Sequence, residues 1–462
     1  MVKLSLEQVT KLTGGQLLRG NPETTVLSWA FDSRQAGPGS LFFALKNKRD
    51  GHDYVREAYE KGAIAACISE VVSGLPPDFG LIKVADPLKA LQTLAARVVQ
   101  QASIKIVGIT GSLGKTTTKE FIARLLSEKF KVLKSPGNFN NQLGVPISIL
   151  SMDSSHEIAV LEMGTSRPGE IKQLTQIAPP DIAVITGIAP VHLEFFQNLE
   201  EIALAKKEIL DGAREGALAV LRGDDPLVRK IAADYPQDRV FFFGCHEDCL
   251  IRAENLKYHG LNGLSFDLIY GQDKAPVKLP LLNQALVSDF LAACAVSFSL
   301  GLKLADISPA FSDLPETEHR GRLLQFENGI KIYDDSYNSN PVALTEVLKS
   351  LGQIPAQRKI AVLGDMLELG PQEIDFHREV GRKIVKYGWD VLVTVGEKAK
   401  YLAEGAVDSG LDPNFIFSFS EATRAGSWLE SFIQAGDFIL IKGSRGLAMD
   451  QIVSYLKKVM EK

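Results

Sequence analysis

The chain has 462 residues, of which 45% are hydrophobic and 23% are charged, a composition typical of a soluble globular protein with about two to four domains. Its formal net charge of −5 disfavours a general nucleic-acid binder, because such proteins carry a basic excess or a basic patch. No window approaches the roughly 18 consecutive apolar residues of a membrane-spanning helix, and no basic segment followed by an apolar stretch opens the chain, so we expect neither a membrane span nor a signal peptide.

The N-terminal part of the chain alternates short strands and helices. Apolar runs at 40–45, 63–69 and 81–84 are typical of buried strands, and the pattern at 54–61 is typical of a helix. We interpret residues 1–84 as a small N-terminal α/β domain.

The second predicted domain, residues 85–314, begins with a helix signal. Asp86 is a good N-cap residue, and Pro87 suits the first helical position. An apolar, β-branched strand at 104–109 then leads through a glycine loop into a helix at 116–129. This order predicts the strand, loop and helix of a phosphate-binding unit at the centre of the domain.

The rest of the second domain changes character along its length. Apolar strands at 158–163 and 182–186 continue the alternation and predict a mainly parallel sheet with helical crossovers. Between 215 and 280, short β-like runs separated by Gly, Asn and Asp predict an antiparallel appendage. An apolar helix is predicted from Val287 to Leu300.

Four cysteines are too few for a disulfide framework at this length and indicate a reducing compartment, so we expect a cytoplasmic protein. Cys245 and Cys249 flank a His and two acidic residues, which resembles a metal cluster. No second Cys or His pair stands at finger spacing, and we interpret the segment as a surface turn.

The third predicted domain, residues 315–462, alternates strands and helices regularly. Its predicted strands are 330–334, 359–363, 391–395, 415–418 and 437–442, and its predicted helices are 341–351, 372–387, 421–433 and 447–459. This pattern predicts a small doubly wound, Rossmann-like domain. The fold class is therefore α/β with three domains: a central P-loop parallel-sheet ATPase domain between a small N-terminal α/β domain and a C-terminal Rossmann-like domain.

The strongest chemical signal is the glycine loop Gly111-Ser112-Leu113-Gly114-Lys115-Thr116, which Thr117 follows. Glycines let backbone N–H groups approach a phosphate, and the following helix N-terminus favours negative charge. Lys115 supplies a cation for the terminal phosphates, and Thr116 can place its hydroxyl on Mg²⁺. The longer phosphate-loop pattern is not met, because Ile109 stands where its first glycine is expected. The sequence nevertheless predicts an ATP-dependent enzyme.

Polar residues follow several predicted strand ends near this loop. An Asn-rich segment runs from Asn138 to Asn141, Glu162 ends an apolar strand, and His192 follows the next strand. Ligands of open parallel sheets bind at the carboxyl ends of the strands. Glu162 is therefore a candidate magnesium ligand, either directly or through water. Lys206, one helix later, reads by itself as an exposed helix lysine.

Three segments of the third domain also stand at carboxyl ends of predicted strands. They are Asp334 to Pro341, Gly364 to Gly370 and Lys442 to Arg445. In a doubly wound sheet these ends form the ligand crevice, so we expect the three segments to lie together.

Taken together, these motifs resemble the Mur ligase family over essentially the whole chain. The segments that carry the resemblance are Asp32-Ser33-Arg34, Pro38 to Phe42, Asp50 to Asp53, the phosphate loop, the Asn-rich segment, Glu162-Met163-Gly164 and His192-Leu193-Glu194. The segment Asp335-Ser336-Tyr337-Asn338-Ser339-Asn340-Pro341 is similar to the dipeptide-adding members, not to the lysine- or diaminopimelate-adding members.

The resemblance implies an activity in peptidoglycan precursor synthesis. ATP phosphorylates the terminal carboxylate of a UDP-muramoyl tripeptide, and the amine of D-alanyl-D-alanine attacks the acyl phosphate. Because carboxylate and triphosphate repel one another, positioning and charge neutralisation should dominate catalysis. The third residue of the tripeptide, lysine or diaminopimelate, is not determined by the sequence. The resemblance also implies a monomer.

The resemblance assigns roles to individual residues. Lys115 stabilises the transferred phosphoryl group, Thr116 and Glu162 hold one Mg²⁺, His192 helps to hold a second, and Lys206 matches a lysine that can be carbamylated. Further residues expected at the nucleotide are Gly111, Ser112, Leu113, Gly114, Thr117, Asn138, Arg322 and Asp335. Residues expected at the two other substrates are Ser33, Arg34, Asn338, Asn340, Ser444 and Arg445.

One segment departs from the family pattern. Members usually carry Gly-x-His-Asn-x-x-Asn near the adenine, whereas this chain has Ala285 and Leu286 where the His and Asn are expected. We therefore expect apolar packing to hold the base. Two alternatives follow from the residues: a related amide ligase with another amine donor, which Asn338 to Pro341 disfavours, and a non-catalytic paralogue, which the joint presence of the catalytic set disfavours.

Overall fold

The computed structural model describes residues 3–461 and contains three large sheets, each covered by helices. A two-stranded antiparallel ladder joins Leu4–Ser5 to Thr25–Val26 beside the first sheet. Among the described residues, no helix combines the length and apolar character needed to cross a membrane. The α/β fold class predicted from the sequence is confirmed.

The first sheet has five strands, all parallel except at one edge. Its strands in spatial order are Gln16–Arg19, Gly80–Lys83, Ala65–Ile68, Ser40–Phe43 and Ser28–Ala30. Its helices are Leu6–Thr13 and Val55–Glu60. The helix Leu6–Thr13 starts with a capping box between Ser5 and Gln8, a local signal readable from the sequence.

The central sheet has nine strands and carries the glycine loop. In spatial order they are Asp273–Leu279, Leu264–Tyr270, Ile251–Tyr258, Val240–Gly244, Leu218–Arg222, Ile182–Ile185, Lys105–Thr110, Ile158–Glu162 and Val132–Lys134. Leu264–Tyr270 pairs antiparallel with both of its neighbours, and all other neighbouring strands pair parallel. The strand Lys105–Thr110 lies at the switch point, since the chain continues to opposite sides of it, and ligands bind at such points.

Helices cover both faces of the central sheet. They are Pro87–Gln101, Lys115–Leu126, Gly144–Leu150, Glu170–Ile177, Leu199–Asp211, Pro226–Ala232, Leu286–Ser299 and the short Leu304–Ile307. The apolar helix Leu286–Ser299 is buried almost all round and packs on Lys115–Leu126, the helix that follows the glycine loop. This packing fixes the helix whose N-terminus faces the candidate phosphate site.

The third sheet has six strands, parallel except for the edge pair. In spatial order they are Arg322–Gln325, Lys331–Asp335, Asp437–Lys442, Arg358–Gly364, Val391–Val395 and Ile416–Phe419. Its helices are Pro341–Gly352, Glu373–Lys386, Lys400–Asp408, Ala422–Phe432 and Asp450–Met460. Separate apolar clusters fill the two faces, as in a doubly wound fold.

Specific contacts join the three sheets. The Trp29 indole N–H donates to the Leu150 carbonyl at 3.1 Å, and the apolar core of the first sheet continues into that of the central sheet. On the other side, Ser350 of the third sheet's first helix accepts from the Gln284 backbone at 3.1 Å. The segment that departs from the family pattern therefore contacts the third domain.

The sequence predicted most of these elements and missed some. The antiparallel appendage predicted between 215 and 280 is correct only for the strands from Ile251 to Leu279, and these extend the central sheet and do not stand apart from it. Leu218–Arg222 and Val240–Gly244, in the same range, are parallel strands of the main sheet. The unpredicted elements include Leu6–Thr13, Lys400–Asp408 and the edge strand Arg322–Gln325. The three sheets fall within the predicted ranges 1–84, 85–314 and 315–462, which stay predictions as domain boundaries.

Candidate active site

The glycine loop has the backbone geometry that a phosphate site requires. Gly111 and Gly114 adopt φ angles of 147° and 73°, in the region that favours glycine. A Cβ atom on Gly111 would lie 2.0 Å from the Thr186 Oγ1, and one on Gly114 would lie 2.1 Å from the Asp289 Oδ1. Both glycines are therefore required by conformation and by space.

Lys115 starts the helix after the loop. Its Nζ donates to the Gly111 carbonyl at 2.8 Å, so the side chain folds back over the loop. Burial lowers the pKa of the Lys115 ammonium, the Glu162 charge raises it, and the Arg320 charge lowers it. A phosphate bound in the loop would replace the neutral carbonyl with an anionic partner.

Thr116 and Glu162, two buried residues whose side-chain oxygens could bind a metal ion, lie beside Lys115. The Thr116 hydroxyl donates to the Glu162 Oε2 at 2.8 Å, and the Asn140 side-chain amide donates to the Glu162 Oε1 at 2.9 Å. Glu162 is only 2% exposed, so its carboxylate is held in one orientation. Hydroxyl and carboxylate oxygens are the ligands that Mg²⁺ prefers, and their chemistry fits the predicted magnesium site.

His192 joins the central sheet to the third domain. Its Nδ1 lies 2.5 Å from the Glu368 Oε2, which comes from the loop after Arg358–Gly364. His192 and Glu368 adopt φ angles of 56° and 63°, a conformation that non-glycine residues rarely take. Glu368 occupies Nδ1, and the other ring nitrogen has no hydrogen bond within residues 3–461.

Lys206 is not the exposed helix lysine that its sequence context suggests. Its side chain is 2% exposed, and within residues 3–461 its ammonium has no hydrogen bond or ion pair. Burial lowers the Lys206 pKa well below its ordinary value and the Lys115 charge lowers it further, whereas the charges of Glu208 and Glu170 raise it. The neutral amine, which is the nucleophilic form, is therefore more accessible at Lys206 than at an exposed lysine.

Asp289, which was not predicted from the sequence, is a buried carboxyl packed against the glycine loop. It accepts from the Thr118 hydroxyl at 3.2 Å and leaves no room for a side chain at Gly114. Burial raises its pKa to about 7, while the Thr118 hydrogen bond and the charges of Arg222 and Arg320 lower it. The protein thus holds a titratable carboxyl against the phosphate loop.

This burial predicts a pH-dependent stability. Because the pKa of Asp289 is raised from its ordinary 3.8 to about 7, the folded state binds more protons than the unfolded state between these values. The stability contribution of Asp289 is present at low pH and is lost as pH rises to about 7. We compare the free energy of unfolding of Asp289→Asn with that of wild type at each pH. The difference should favour the variant by up to about 3 kcal/mol more at pH 8 than at pH 5.

Thermal or urea unfolding of both proteins at the two pH values measures this difference. Asp313→Asn is the control, because its side chain is 83% exposed, and it should respond to pH like wild type. A stability difference between Asp289→Asn and wild type that is equal at pH 5 and pH 8 would contradict the prediction.

The third domain supplies residues on the opposite side of the site from the glycine loop. Asn338 and Asn340 come from the segment after Lys331–Asp335, and Asn340 also caps the next helix by accepting from the Ala343 backbone at 2.9 Å. Lys442 donates to the Asp335 Oδ2 at 2.6 Å and to the Asn338 carbonyl at 2.9 Å. The predicted strand-end segments at 334–341 and 442–445 therefore lie together.

These groups surround a cavity of about 500 Å³ between the central and third sheets, which we call the cleft. Ten of the residues predicted for the site line it: Ser112, Leu113, Gly114, Lys115, Thr116, Asn138, Glu162, His192, Asn338 and Asn340. Most of the lining is polar, as expected for a site that binds phosphates and carboxylates.

Other predicted residues lie around the cleft without lining it. Gly111 belongs to the loop and accepts from Lys115, and Lys206 is buried in the field of Lys115. Asp335 accepts from Lys442, which lines the cleft. Ser444 accepts from the Leu367 backbone at 2.9 Å, and Arg445 pairs with Asp450 at 3.2 Å. Direct substrate contacts by these residues stay predictions.

Three further predicted residues face other partners. Arg322 pairs with Glu316 at 3.2 Å and is about half exposed, whereas Arg320, which was not predicted, lines the cleft. In the first domain, the Ser33 hydroxyl donates to Glu57 at 2.7 Å, and the exposed Arg34 pairs with Asp32 at 2.7 Å. Their roles at the nucleotide and at the uridine substrate stay predictions.

A second cavity of about 510 Å³ adjoins Lys115–Leu126, the helix that follows the glycine loop, and we call it the side cavity. Thr117 and Leu286 line it, so the residue that departs from the family pattern faces this space. Much of the remaining lining is apolar: Phe121, Leu261, Pro280, Leu281, Leu282, Leu314, Pro315 and Leu323. Arg320 lines both the cleft and the side cavity.

Sequence reasoning missed four residues that shape the site. Asn140 lies in the predicted Asn-rich segment and Glu368 in a predicted strand-end loop, so their placement was readable but their partners were not. Asp289 and Arg320 carry no local signal, because one lies inside an apolar helix and the other in an irregular turn. Only the fold brings them to the loop.

A glycine loop at the switch point of a parallel sheet, with a lysine, a threonine and a buried carboxylate beside it, defines a P-loop nucleotide-binding protein. The sequence matches the family descriptions "Mur ligase middle domain" over residues 109–297 and "Mur ligase, glutamate ligase domain" over residues 319–445. These two ranges contain the cleft and both of its walls. The chain belongs to the Mur ligase family.

Individual relatives agree with this assignment. The UDP-N-acetylmuramoyl-tripeptide–D-alanyl-D-alanine ligase of Bacillus subtilis is 34% identical over 99% of both chains. A crystal structure of MurF from Acinetobacter baumannii covers all of both chains with a TM-score of 0.89 and 28% identity. The MurF ligase of Thermotoga maritima in complex with ADP covers 94% of this chain and 98% of its own, with a TM-score of 0.80 and 31% identity.

Proposed function

We propose that this protein is the ATP-dependent ligase that adds D-alanyl-D-alanine to UDP-N-acetylmuramoyl-tripeptide in peptidoglycan precursor synthesis. The observation that carries the proposal is the meeting of two groups of residues across the cleft. The phosphate loop and Glu162 form one wall, and the Asn338 and Asn340 segment typical of the dipeptide-adding members forms the other. Full-length similarity to relatives that bear this activity in their names supports it.

The residues of the cleft can perform the two chemical steps. Lys115 neutralises charge on the transferred phosphoryl group as the tripeptide carboxylate attacks it, giving an acyl phosphate and ADP. The dipeptide amine then attacks the acyl carbon, and phosphate leaves as the amide bond forms. Asn338 and Asn340 offer amide groups that can orient the dipeptide, and Lys442 offers a cation for the anionic intermediate.

The side-chain oxygens on the central-domain wall of the cleft are suitable ligands for magnesium. Thr116 and Glu162 would hold one ion, and the ring nitrogen of His192 that Glu368 leaves open would contribute to a second site. The ions would supply charge neutralisation at the phosphates. Asn140 fixes the Glu162 carboxylate, which reduces the reorganisation needed for binding.

Lys206 supports a carbamate. Its buried amino group has no hydrogen bond or ion pair within residues 3–461. Burial and the Lys115 charge favour the neutral amine, whereas the charges of Glu208 and Glu170 favour the ammonium. The neutral amine can add CO₂ and release a proton to solvent, which gives a carbamate anion in the field of Lys115. We expect Lys206→Ala to lower turnover by about 100-fold or more. Lys206→Glu should recover part of the turnover, because it restores a carboxylate near the same position.

Turnover measured with and without added bicarbonate tests this role. Wild type depleted of CO₂ should lose activity, and Lys206→Glu should be indifferent to bicarbonate. Lys207→Ala is the matched control, because the Lys207 ammonium pairs with Asp211 at 3.0 Å on the same helix. Full turnover of Lys206→Ala would exclude the carbamate.

The base of ATP fits the side cavity. Leu286 and its apolar neighbours offer packing surface in place of the His and Asn side chains that family members usually carry. The substrate-binding first domain, a monomeric state and a cytoplasmic location complete the proposal.

Mass spectrometry of the reaction products identifies the amine donor. We expect UDP-muramoyl tripeptide and ATP to yield a pentapeptide product with D-alanyl-D-alanine and much less product with single amino acids or other dipeptides. Equal product formation with a single amino acid would favour the related amide ligase, and nucleotide binding without any product would favour the non-catalytic paralogue.

A further inference from the structure

Glu368 lies on the loop that follows the strand Arg358–Gly364, and its side chain extends from the third domain to His192 of the central domain. Its Oε2 lies 2.5 Å from the His192 Nδ1, and within residues 3–461 it has no other hydrogen bond or ion pair. His192 lines the cleft, whereas Glu368 does not. Glu368 is therefore placed to act on the site through His192.

The loop that carries Glu368 is fixed to the third domain just before this residue. The Met366 N–H donates to the Nε2 of the buried His377 at 3.0 Å. The Leu367 N–H donates to the Ser444 Oγ at 2.9 Å, and the Ser444 N–H donates in turn to the Asp365 carbonyl at 3.0 Å. These bonds leave Glu368 on a rigid support, although its own side chain is 49% exposed.

The backbones of the two contacting loops also fit one another. His192 and Glu368, with φ angles of 56° and 63°, both adopt the left-handed conformation. Non-glycine residues keep this conformation only where their surroundings impose it, and such residues concentrate at functional sites. A Cβ atom on Gly370 would lie 2.9 Å from the Leu193 carbonyl oxygen, so the loops pack backbone against backbone. This packing brings Glu368 and His192 together.

The contact determines what the imidazole of His192 can bind. A carboxylate only accepts hydrogen bonds, so the His192 Nδ1 carries a proton and donates it to Glu368. In the neutral ring Nε2 then keeps its lone pair, and this nitrogen has no hydrogen bond within residues 3–461. Histidines that bind metal ions are commonly oriented in this way, with the other ring nitrogen donating to a carboxylate.

We infer that Glu368 is a positioning residue, which fixes the His192 ring with its proton on Nδ1 so that Nε2 is available to a metal ion. This inference deepens the proposed function and rests on it for the metal. Because Glu368 and His192 belong to different domains, their contact would couple docking of the third domain to completion of the metal site on the central domain.

Nitrogen-15 NMR of the metal-free full-length chain, labelled at its seven histidines, tests the state of the ring directly. At pH 8, where an ordinary imidazole is neutral, the His192 signals should show the proton on Nδ1. Their loss in His192→Gln assigns them. In Glu368→Ala the proton should move to Nε2, which is the tautomer that a free histidine side chain prefers. Glu368→Gln keeps an acceptor oxygen and should keep the proton on Nδ1.

The Mg²⁺ concentration that half-activates turnover measures the consequence for metal binding. Glu368→Ala should raise this concentration about 10- to 100-fold, the usual effect of removing the partner of a metal-binding histidine, and should leave the KM for the tripeptide substrate at saturating Mg²⁺ unchanged. Glu368→Gln should recover most of the loss. In a His192→Ala background, Glu368→Ala should add little, because the two residues act through one contact.

Glu379→Ala is the matched control, because Glu379 lies on the helix after the loop and pairs with Lys383 at 3.0 Å. It should match wild type in both measurements, and unchanged melting temperatures would show that all variants fold.

A His192 proton that stays on Nδ1 in Glu368→Ala would overturn the inference, as would an unchanged Mg²⁺ requirement. If Glu368→Gln behaves like Glu368→Ala, the charge of Glu368 matters and its hydrogen bond does not, which also overturns the inference. The tautomer is measured without substrates. A His192 tautomer that depends on Glu368, in a protein that forms no amide product, would therefore contradict the proposed function while this inference stands.

Discussion

Lys115→Ala should abolish ligation while leaving the fold intact. Lys115 is the cation at the N-terminus of the helix Lys115–Leu126. The only hydrogen bond of its ammonium among residues 3–461 is to the Gly111 carbonyl of the same loop. Removal of a group that neutralises transferred phosphoryl charge costs about 1000-fold or more in turnover. Burial disfavours the ammonium, so the folded state loses little by its removal.

Steady-state turnover and thermal unfolding together test this prediction. Turnover should fall to background, and the melting temperature should stay within a few degrees of wild type. Lys129→Ala is the control, because Lys129 lies just after the same helix and pairs with Asp306 at 3.0 Å on the surface. Substantial turnover in Lys115→Ala would contradict the assignment of the loop as the phosphoryl-transfer site.

Gly114→Ala should eliminate nucleotide binding and destabilise the central domain. The new Cβ would lie 2.1 Å from the Asp289 Oδ1, and an alanine at a φ of 73° carries a further cost of about 1–2 kcal/mol. Asp289 is buried and hydrogen-bonded to Thr118, so it has little freedom to withdraw. The loop and the start of its helix must therefore shift.

Nucleotide titration and melting temperature measure both effects. Gly14→Ala is the matched control, because Gly14 has a similar φ of 67° and no atom within 4 Å of the added Cβ. Its melting temperature should fall only slightly, because the substitution carries the conformational cost of an alanine at positive φ and no steric clash. Its nucleotide affinity should not change. Equal effects of the two substitutions would show that close packing against Asp289 is unimportant.

The sequence predicted the elements of the site better than their contacts. Apolar β-branched strands, the glycine loop and the strand-end polar residues are local features, and they predicted the central sheet and ten residues of the cleft. The capped helix from Pro87 to Gln101 was predicted for the same reason, since Asp86 accepts from the Leu88 and Lys89 backbone. All these features depend on residues that are near one another in the sequence.

Contacts between distant segments were less predictable. Lys206 reads as an exposed helix lysine until the sheet and neighbouring helices bury it, and the partners of Asp289 lie about 170 residues earlier in the chain. The His192–Glu368 and Arg320–Tyr337 contacts depend on how the third sheet sits against the central one. No periodicity or motif encodes such an arrangement, because it follows from packing of the completed domains.

Phosphate release measured with and without D-alanyl-D-alanine tests the central claim most directly. Purified protein, ATP, Mg²⁺ and UDP-muramoyl tripeptide should release little phosphate alone, because the acyl phosphate awaits an amine. Addition of the dipeptide should raise the rate to steady turnover with one phosphate released for each amide bond formed. A rate that ignores the dipeptide, or that needs no tripeptide, would contradict the proposed ligase.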